Sequence, residues 1–141
     1  MSRIYWDAML FVYLIEASAE HGTRVKEIVA TMERRRDTLC TSLFTIGEVL
    51  TGPYKNGALN LVSQIREKIR PPQVELLPFT AETADNYARI RAGNRVSPPD
   101  AIHLASAAGA GVDLFLTNDH RLQSLVVPGI DFIAGMDVNL F

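Results

Sequence analysis

The chain has 141 residues, close to the roughly 100–150 at which single domains are commonest. With 48% hydrophobic and 21% charged residues it can bury a core, and a single cysteine, Cys40, excludes an internal disulfide framework. A net charge of −2 gives no overall attraction to polyanions, so contact with one must rest on local basic patches or bound cations.

No stretch approaches the roughly 18 uninterrupted apolar residues of a membrane span. Asp7 also stands where a signal peptide would need its apolar stretch. A cytoplasmic protein without a membrane partner is expected. Cys40, flanked by Leu39 and Thr41, reads as a small buried residue rather than a reactive thiol.

In chain order, residues 4–6 are a brief β-branched and aromatic run, the first predicted strand. Apolar residues then recur at Leu10, Phe11, Leu14, Ile15 and Ala17, the spacing of one helix face. His21-Gly22-Thr23 interrupts it, and Thr23 is the expected cap of a second helix carrying Val25, Ile28, Val29 and Met32. That helix closes on Arg34-Arg35-Arg36, cations suited to a helix C-terminus. Residues 38–42 predict the second strand, followed by a short helix through Leu50 that Gly52-Pro53 should stop. Leu59, Leu61, Val62, Ile65 and Ile69 mark a further helix, closed by Pro71-Pro72.

The third strand is expected at 74–77, then a helix capped by Thr80 and ending near Gly93. Ser97 begins the next helix, with Ala101, Leu104, Ala105 and Ala108 inward and a stop at Gly109-Ala110-Gly111. Residues 114–116 are wholly apolar, as a central parallel strand should be, and 130–133 make a fifth strand. Strands alternating with helices predict one three-layer α/β/α domain over 1–141, with a central, mostly parallel sheet.

Four carboxylates, Asp7, Glu48, Asp100 and Asp119, stand where a short strand or loop hands over to a helix. In an open α/β sheet the carboxyl ends of the strands face one crevice, where ligands bind. Each acid also has a purely structural reading. Asp7 fits an N-cap, and Thr45 with Glu48 fits a capping box. Asp100 follows the helix start Ser97-Pro98-Pro99, and Asn118-Asp119 fits an Asx turn. Taken together, acids gathered at one edge repel unless a cation lies between them. Hard oxygen ligands suit Mg²⁺ or Mn²⁺, and no His/Cys cluster with zinc spacing competes. Metal-assisted phosphodiester hydrolysis is the chemistry such a site serves best.

Around the acids, Thr117 and Asn118 are candidates to orient metal-bound water, with turn chemistry as the alternative. Arg89, Arg91, Arg95 and Arg121 are candidate holders of flanking phosphates, with a solvated helix face as the alternative. His103 follows Asp100 by one helical turn but reads first as a core or interface histidine. His120 is expected to point away from the site, and His21 to lie in a loop. Tyr5, Trp6, Phe11 and Tyr13 read as core or interface rather than base-stacking platforms.

At these residues the chain resembles the PIN-domain family, and more narrowly the VapC-type toxin ribonucleases. The resemblance spans nearly the full length. It rests on Asp7 before Leu10-Phe11-Val12-Tyr13-Leu14-Ile15-Glu16, and on Thr41-Ser42-Leu43-Phe44-Thr45-Ile46-Gly47-Glu48-Val49-Leu50. It rests further on Pro99-Asp100-Ala101-Ile102-His103-Leu104-Ala105 and Phe115-Leu116-Thr117-Asn118-Asp119-His120-Arg121-Leu122. The resemblance implies a Mg²⁺- or Mn²⁺-dependent endoribonuclease, often a homodimer, with Asp7, Glu48, Asp100 and Asp119 as catalytic metal ligands. It also implies RNA as substrate and a cognate antitoxin that covers the active site. In one departure, Ala8-Met9 follow Asp7 where members often place a small hydroxyl or amide residue.

Two other classes compete. One is a PIN-like module that has lost catalysis and works through protein contacts. The other is a receiver-like phosphoryl-transfer domain, which would want a lysine after a late strand, and none follows Leu116 or Ile133. No Walker A or GxGxxG pattern is present.

Overall fold

Short runs rich in β-branched and aromatic residues supply the strands, which a computed structural model describes along with all other residues, 1–141. The strands are β1 (Arg3–Trp6), β2 (Thr38–Ser42), β3 (Glu75–Leu77), β4 (Leu114–Leu116) and β5 (Phe132–Ala134). The helices are α1 (Ala8–Ile15), α2 (Gly22–Arg35), α3 (Leu43–Lys55), α4 (Leu59–Lys68), α5 (Ala81–Gly93) and α6 (Pro98–Ala110). The five strands form one sheet in the order β3-β2-β1-β4-β5, and every pairing is parallel. The sheet is thus wholly rather than mostly parallel.

Side chains alternate between the two faces of a strand, and the two cores follow that alternation. Ile4, Trp6, Leu114 and Leu116 face one core with Leu10, Val25, Ile28, Val49 and Ile65 from α1 to α4. Tyr5, Cys40 and Phe115 face the other with Ile90, Ala101, Leu104 and Ala105 from α5 and α6. Three layers result. Cys40 is buried as expected, and burial pushes its thiol up to about 12. No helix is long and apolar enough to cross a membrane.

Several boundaries differ from the sequence reading for local reasons. Helix α1 ends before Ala17, which adopts φ +49°. The turn is closed by bonds from Ser18 N to Tyr13 O (3.0 Å) and Ala17 N to Leu14 O (3.4 Å), a Schellman arrangement. Thr23 lies inside α2, whose N-cap position is taken by His21. Pro53 does not stop α3 but sits in its last turn, where Asn56 N reaches Gly52 O at 3.0 Å. At that place the missing proline N–H removes one bond, and the chain keeps helical geometry through Lys55.

Other signals hold. Thr80 and Thr83 cap α5 reciprocally, and Ser97 caps α6, which closes on Gly111 in the left-handed region. Gly129, at φ +98°, lets the chain turn into β5 against Ala108, whose carbonyl a Cβ would meet at 2.6 Å. Sheet order sets where a ligand crevice must open. From β1 the chain moves toward β2 and β3, and from β4 it moves the opposite way to β5. The switch point therefore lies between the carboxyl ends of β1 and β4.

Leu104 is fully buried between α6 and the sheet. Leu104→Ala should lower the unfolding free energy by about 2–5 kcal/mol, read from urea denaturation with an unchanged m value. A midpoint equal to the parent's would contradict this packing.

Candidate functional site

Where β1 and β4 end side by side, Trp6 is in register with Leu116, so Asp7 and Thr117 emerge together. The Asp7 N–H donates to Leu116 O at 3.1 Å, and Thr117 Oγ1 donates to Asp7 Oδ2 at 2.7 Å. Asp7 occupies the N-cap position of α1, yet its side chain makes no capping bond. Its carboxylate is turned to the crevice instead.

A cleft of about 750 Å³ opens at this point, and all four acids line it: Asp7, Glu48, Asp100 and Asp119. Ala8, Met9, Tyr13, Asn118, His120 and Arg121 complete much of the wall. Glu48 comes from the second turn of α3. The capping-box reading of this residue fails, because Ser42 is the cap, its Oγ accepting from Thr45 N at 3.2 Å. Thr45 already lies inside the helix. Glu48 is therefore free of the helix start, and Oε1 accepts from His103 Nε2 at 2.5 Å. The same Nε2 stands 3.9 Å from Asp7 Oδ1.

Asp100 sits in the first turn of α6, where the helix dipole favours a negative charge. Its backbone N–H is taken by Ser97 Oγ at 3.3 Å. Asp119 follows β4 and fits the expected Asx turn, with Oδ1 accepting from Arg121 N at 3.0 Å. The Arg121 side chain adds a forked pair, Nε to Oδ1 at 3.1 Å and Nη2 to Oδ2 at 2.8 Å. That bonding holds the Asp119 carboxyl below the usual carboxylate range. Asp119, and more weakly Asp100, in turn hold the Arg121 guanidinium in its charged form.

Thr117 takes a linking role: besides its bond to Asp7, its Oγ1 accepts from Asp119 N at 3.1 Å. Asn118 donates to Tyr13 Oη at 3.0 Å and so fixes a cleft wall. His120 is exposed but lines the cleft rather than pointing away from it, and His21 packs on Tyr13 at 4.4 Å between ring centres. Tyr5, Trp6 and Phe11 are buried, as expected of core residues.

The structure does not bring Arg89, Arg91 and Arg95 into the cleft wall. Arg89 pairs with Asp85 at 3.0 Å on the exposed side of α5 and lines a different groove. Arg91 lies over the Tyr87 ring. Nearness to Asp100 in the chain is undone by the reversal between α5 and α6. The residue that sequence reasoning undervalued is His103. Its spacing from Asp100 places both on neighbouring turns, but its partner Glu48 lies 55 residues away and only the fold joins them.

In donor chemistry the four carboxylates fit a hard divalent cation. Thr117 and His103 each occupy one oxygen, of Asp7 and Glu48 respectively, so Asp7 Oδ1, Glu48 Oε2 and the Asp100 carboxylate keep acceptor capacity toward the cleft. No three of the chain's His, Cys, Asp and Glu side chains yet converge on a single ligating point. Side-chain adjustment, including loosening of the Arg121 fork, would accompany cation binding.

The model of the family described as PIN domain matches residues 4–127. The chain belongs to the PIN-domain family. No curated protein sequence matches it. Among solved structures, this PIN domain is similar to VapBC2 from Rickettsia felis, bound to a DNA fragment from its promoter. That match has TM-score 0.75 and 14% identity, covering 94% of this chain and 98% of the other. It is also similar to Mycobacterium tuberculosis VapC20, described as a Sarcin-Ricin loop cleaving toxin, at TM-score 0.70 and 16% identity, covering 87% and 96%. A toxin–antitoxin complex from Klebsiella pneumoniae matches at TM-score 0.68 and 18% identity, covering 90% and 94%. At these identities the likeness is one of fold.

The Asp119–Arg121 pair yields a titration test. A carboxyl lowered in the folded state adds stability that is present above its unfolded value, about 3.9. That stability is lost as pH falls through the lower folded value. Arg121→Ala should therefore move the Asp119 midpoint upward in a ¹³C-carboxyl NMR titration. A midpoint that stays put would show that the fork does not form in solution.

Proposed function

We propose that this PIN-domain chain is a Mg²⁺- or Mn²⁺-dependent endoribonuclease of the VapC type, the toxin of a toxin–antitoxin pair. One observation carries the reading: four acids drawn from positions 7, 48, 100 and 119 line one cleft at the switch point of the sheet. The solved PIN-fold relatives described as toxins or toxin–antitoxin complexes support the narrower assignment.

On this reading residues 1–141 act as one nuclease unit in the cytoplasm, as a homodimer, with RNA as substrate and a cognate antitoxin as partner. Asp7, Glu48, Asp100 and Asp119 hold the cation. The chemistry it supplies when bound is Lewis-acid activation of water and of the phosphoryl group. Thr117 keeps Asp7 and the Asp119 backbone in mutual register, and Asn118 steadies the Tyr13 wall. Arg121, at the cleft edge, is the arginine placed to hold a phosphate beside the scissile bond. Arg89, Arg91 and Arg95 are not assigned that role, because they lie outside the cleft wall.

A second reading has one observation in its favour. Arg121 engages both oxygens of Asp119, so this chain carries its own counter-ion for one acid. A catalytically inactive binding module would keep that pair closed. Calorimetric titration with Mn²⁺ separates the two, since absence of binding at millimolar metal supports the module.

Asp7→Asn and Asp119→Asn should each lower Mg²⁺-dependent RNA cleavage by more than about 100-fold, beyond what outer partners of a metal site usually cost. Circular dichroism should show both variants folded. Cleavage at the parent rate would remove these residues from the site. Induced expression should arrest growth, and co-expression of the neighbouring gene should relieve the arrest; a chain tolerated at high expression would tell against the toxin role.

A further inference from the structure

Beneath Glu48 a line of buried polar groups runs from the cleft to the middle strand. His103 is 2% exposed and Tyr5 fully buried. Tyr5 Oη lies 2.7 Å from His103 Nδ1, on the side of the ring away from Glu48. The imidazole is clamped edge-on by Tyr5 and Phe44, at 5.8 and 5.6 Å between ring centres. Tyr5 itself stacks on Phe115 at 5.0 Å with 7° between the planes.

The protons in this line follow from donor chemistry and distance. A carboxylate only accepts, so Nε2 carries the proton shared with Glu48 Oε1. A carbonyl likewise only accepts, so the Thr41 hydroxyl gives its proton to Trp6 O at 2.8 Å. The same Thr41 hydroxyl points at Thr45 Oγ1, which accepts at 2.7 Å, and Thr45 Oγ1 has Ser42 Oγ as a further partner at 3.1 Å. Thr45 Oγ1 stands 3.4 Å from Nδ1, against 2.7 Å for Tyr5 Oη. The Tyr5 hydroxyl is therefore the nearest donor to Nδ1, and burial pushes its pKa up to about 12.

We propose that Tyr5 and His103 are positioning residues for Glu48. The Tyr5 hydroxyl donates to Nδ1 and Nε2–H donates to Glu48 Oε1, so the ring is held from both sides and Glu48 Oε2 is presented to the cleft. Glu48 is the longest of the four acids and has one more rotatable bond than the aspartates to immobilise. Asp7 is held by Thr117 at the adjoining strand end and Asp119 by Arg121 two residues on, whereas Glu48 is steadied from another helix. The role in catalysis rests on the ribonuclease reading; the tautomer and the hold on Glu48 do not.

Two measurements on the full chain test this without RNA. In ¹⁵N-histidine NMR of the metal-free protein, His103 should appear as the neutral Nε2–H tautomer with Nδ1 accepting a hydrogen bond. An Nδ1–H tautomer or an imidazolium in the parent overturns the proposal. In calorimetry, His103→Leu should weaken Mn²⁺ binding by about 10–100-fold, whereas His103→Gln, whose amide can donate near the Nε2 position, should stay within about threefold of the parent. Equal weakening by Leu and Gln would mean that the donor does not matter. Should His103→Leu fail to fold, Tyr5→Phe decides: it removes only a hydroxyl, keeps the ring on Phe115 and should weaken Mn²⁺ binding by about 10-fold, and parent-like binding overturns the proposal. For RNA, His103→Leu should lower kcat with KM little changed. A parent that binds Mn²⁺ but cuts no RNA would refute the ribonuclease reading and leave the His103 result standing.

Discussion

The parallel pairing of β1 with β4 places two strand ends side by side, and the candidate site depends on that pairing. The Trp6–Leu116 register brings Asp7 and Thr117 to the same level at the edge where the chain diverges to opposite sides of the sheet. Shifting the register by one residue would exchange the faces of Leu114, Phe115 and Leu116. Such a slip would put Phe115 into the wrong core and also separate Thr117 from Asp7. Core packing therefore enforces the geometry of the cleft. The polar bonds across this edge, Asp7 N to Leu116 O and Thr117 Oγ1 to Asp7 Oδ2, finish what the apolar alternation sets.

The two faces of the sheet contribute differently. Helices α1 and α3, on one face, carry the cleft wall and Glu48; α6, on the other, carries Asp100 and His103. The His103–Glu48 bond is thus a polar tie between two layers at the open end of the molecule. Away from this end most contact between the layers is apolar, with the bond from Arg3 on β1 to Ala110 O on α6 as an exception. A directional bond at the rim suits a place where the sheet no longer separates the helices, since hydrogen bonds fix orientation as packing alone does not.

Much of this architecture was legible in the sequence because its signals are local. Strands of three to five apolar or hydroxyl-bearing residues, the Thr80 and Ser97 caps and the stop at Gly111 each rest on neighbouring residues. Asp7 and Asp119 were legible as strand-end acids for the same reason. For Glu48 only the structural alternative fails: Thr45 with Glu48 matches a capping box, but Ser42 three residues earlier makes the cap, and two overlapping hydroxyl signals cannot be ranked without the backbone. Pro53 misled because the helix continues two residues past it despite the bond that the missing N–H removes. The arginines of α5 show the opposite limit, since a helix reversal makes sequence proximity to Asp100 irrelevant. His103 was out of reach because its partners, Tyr5 and Glu48, come from distant parts of the chain.

Four carboxylates on one cleft raise the question of how the fold tolerates them. Three have separate and chemically different partners: a hydroxyl for Asp7, an imidazole N–H for Glu48 and a guanidinium for Asp119. Asp100 has the start of α6, whose unpaired N–H groups favour negative charge. Each of the first three carboxylates has its own hydrogen-bond partner, although His103 Nε2 also stands 3.9 Å from Asp7 Oδ1 and Asp100 adds weakly to the charge around Arg121. Yet a hydroxyl and one N–H each occupy only part of a carboxylate, and acceptor capacity remains on Asp7, Glu48 and Asp100 facing common space. On the proposed reading, this unequal treatment of the four acids suits a cation site: each is held at the cleft, and three are left open on the side where a cation would meet them.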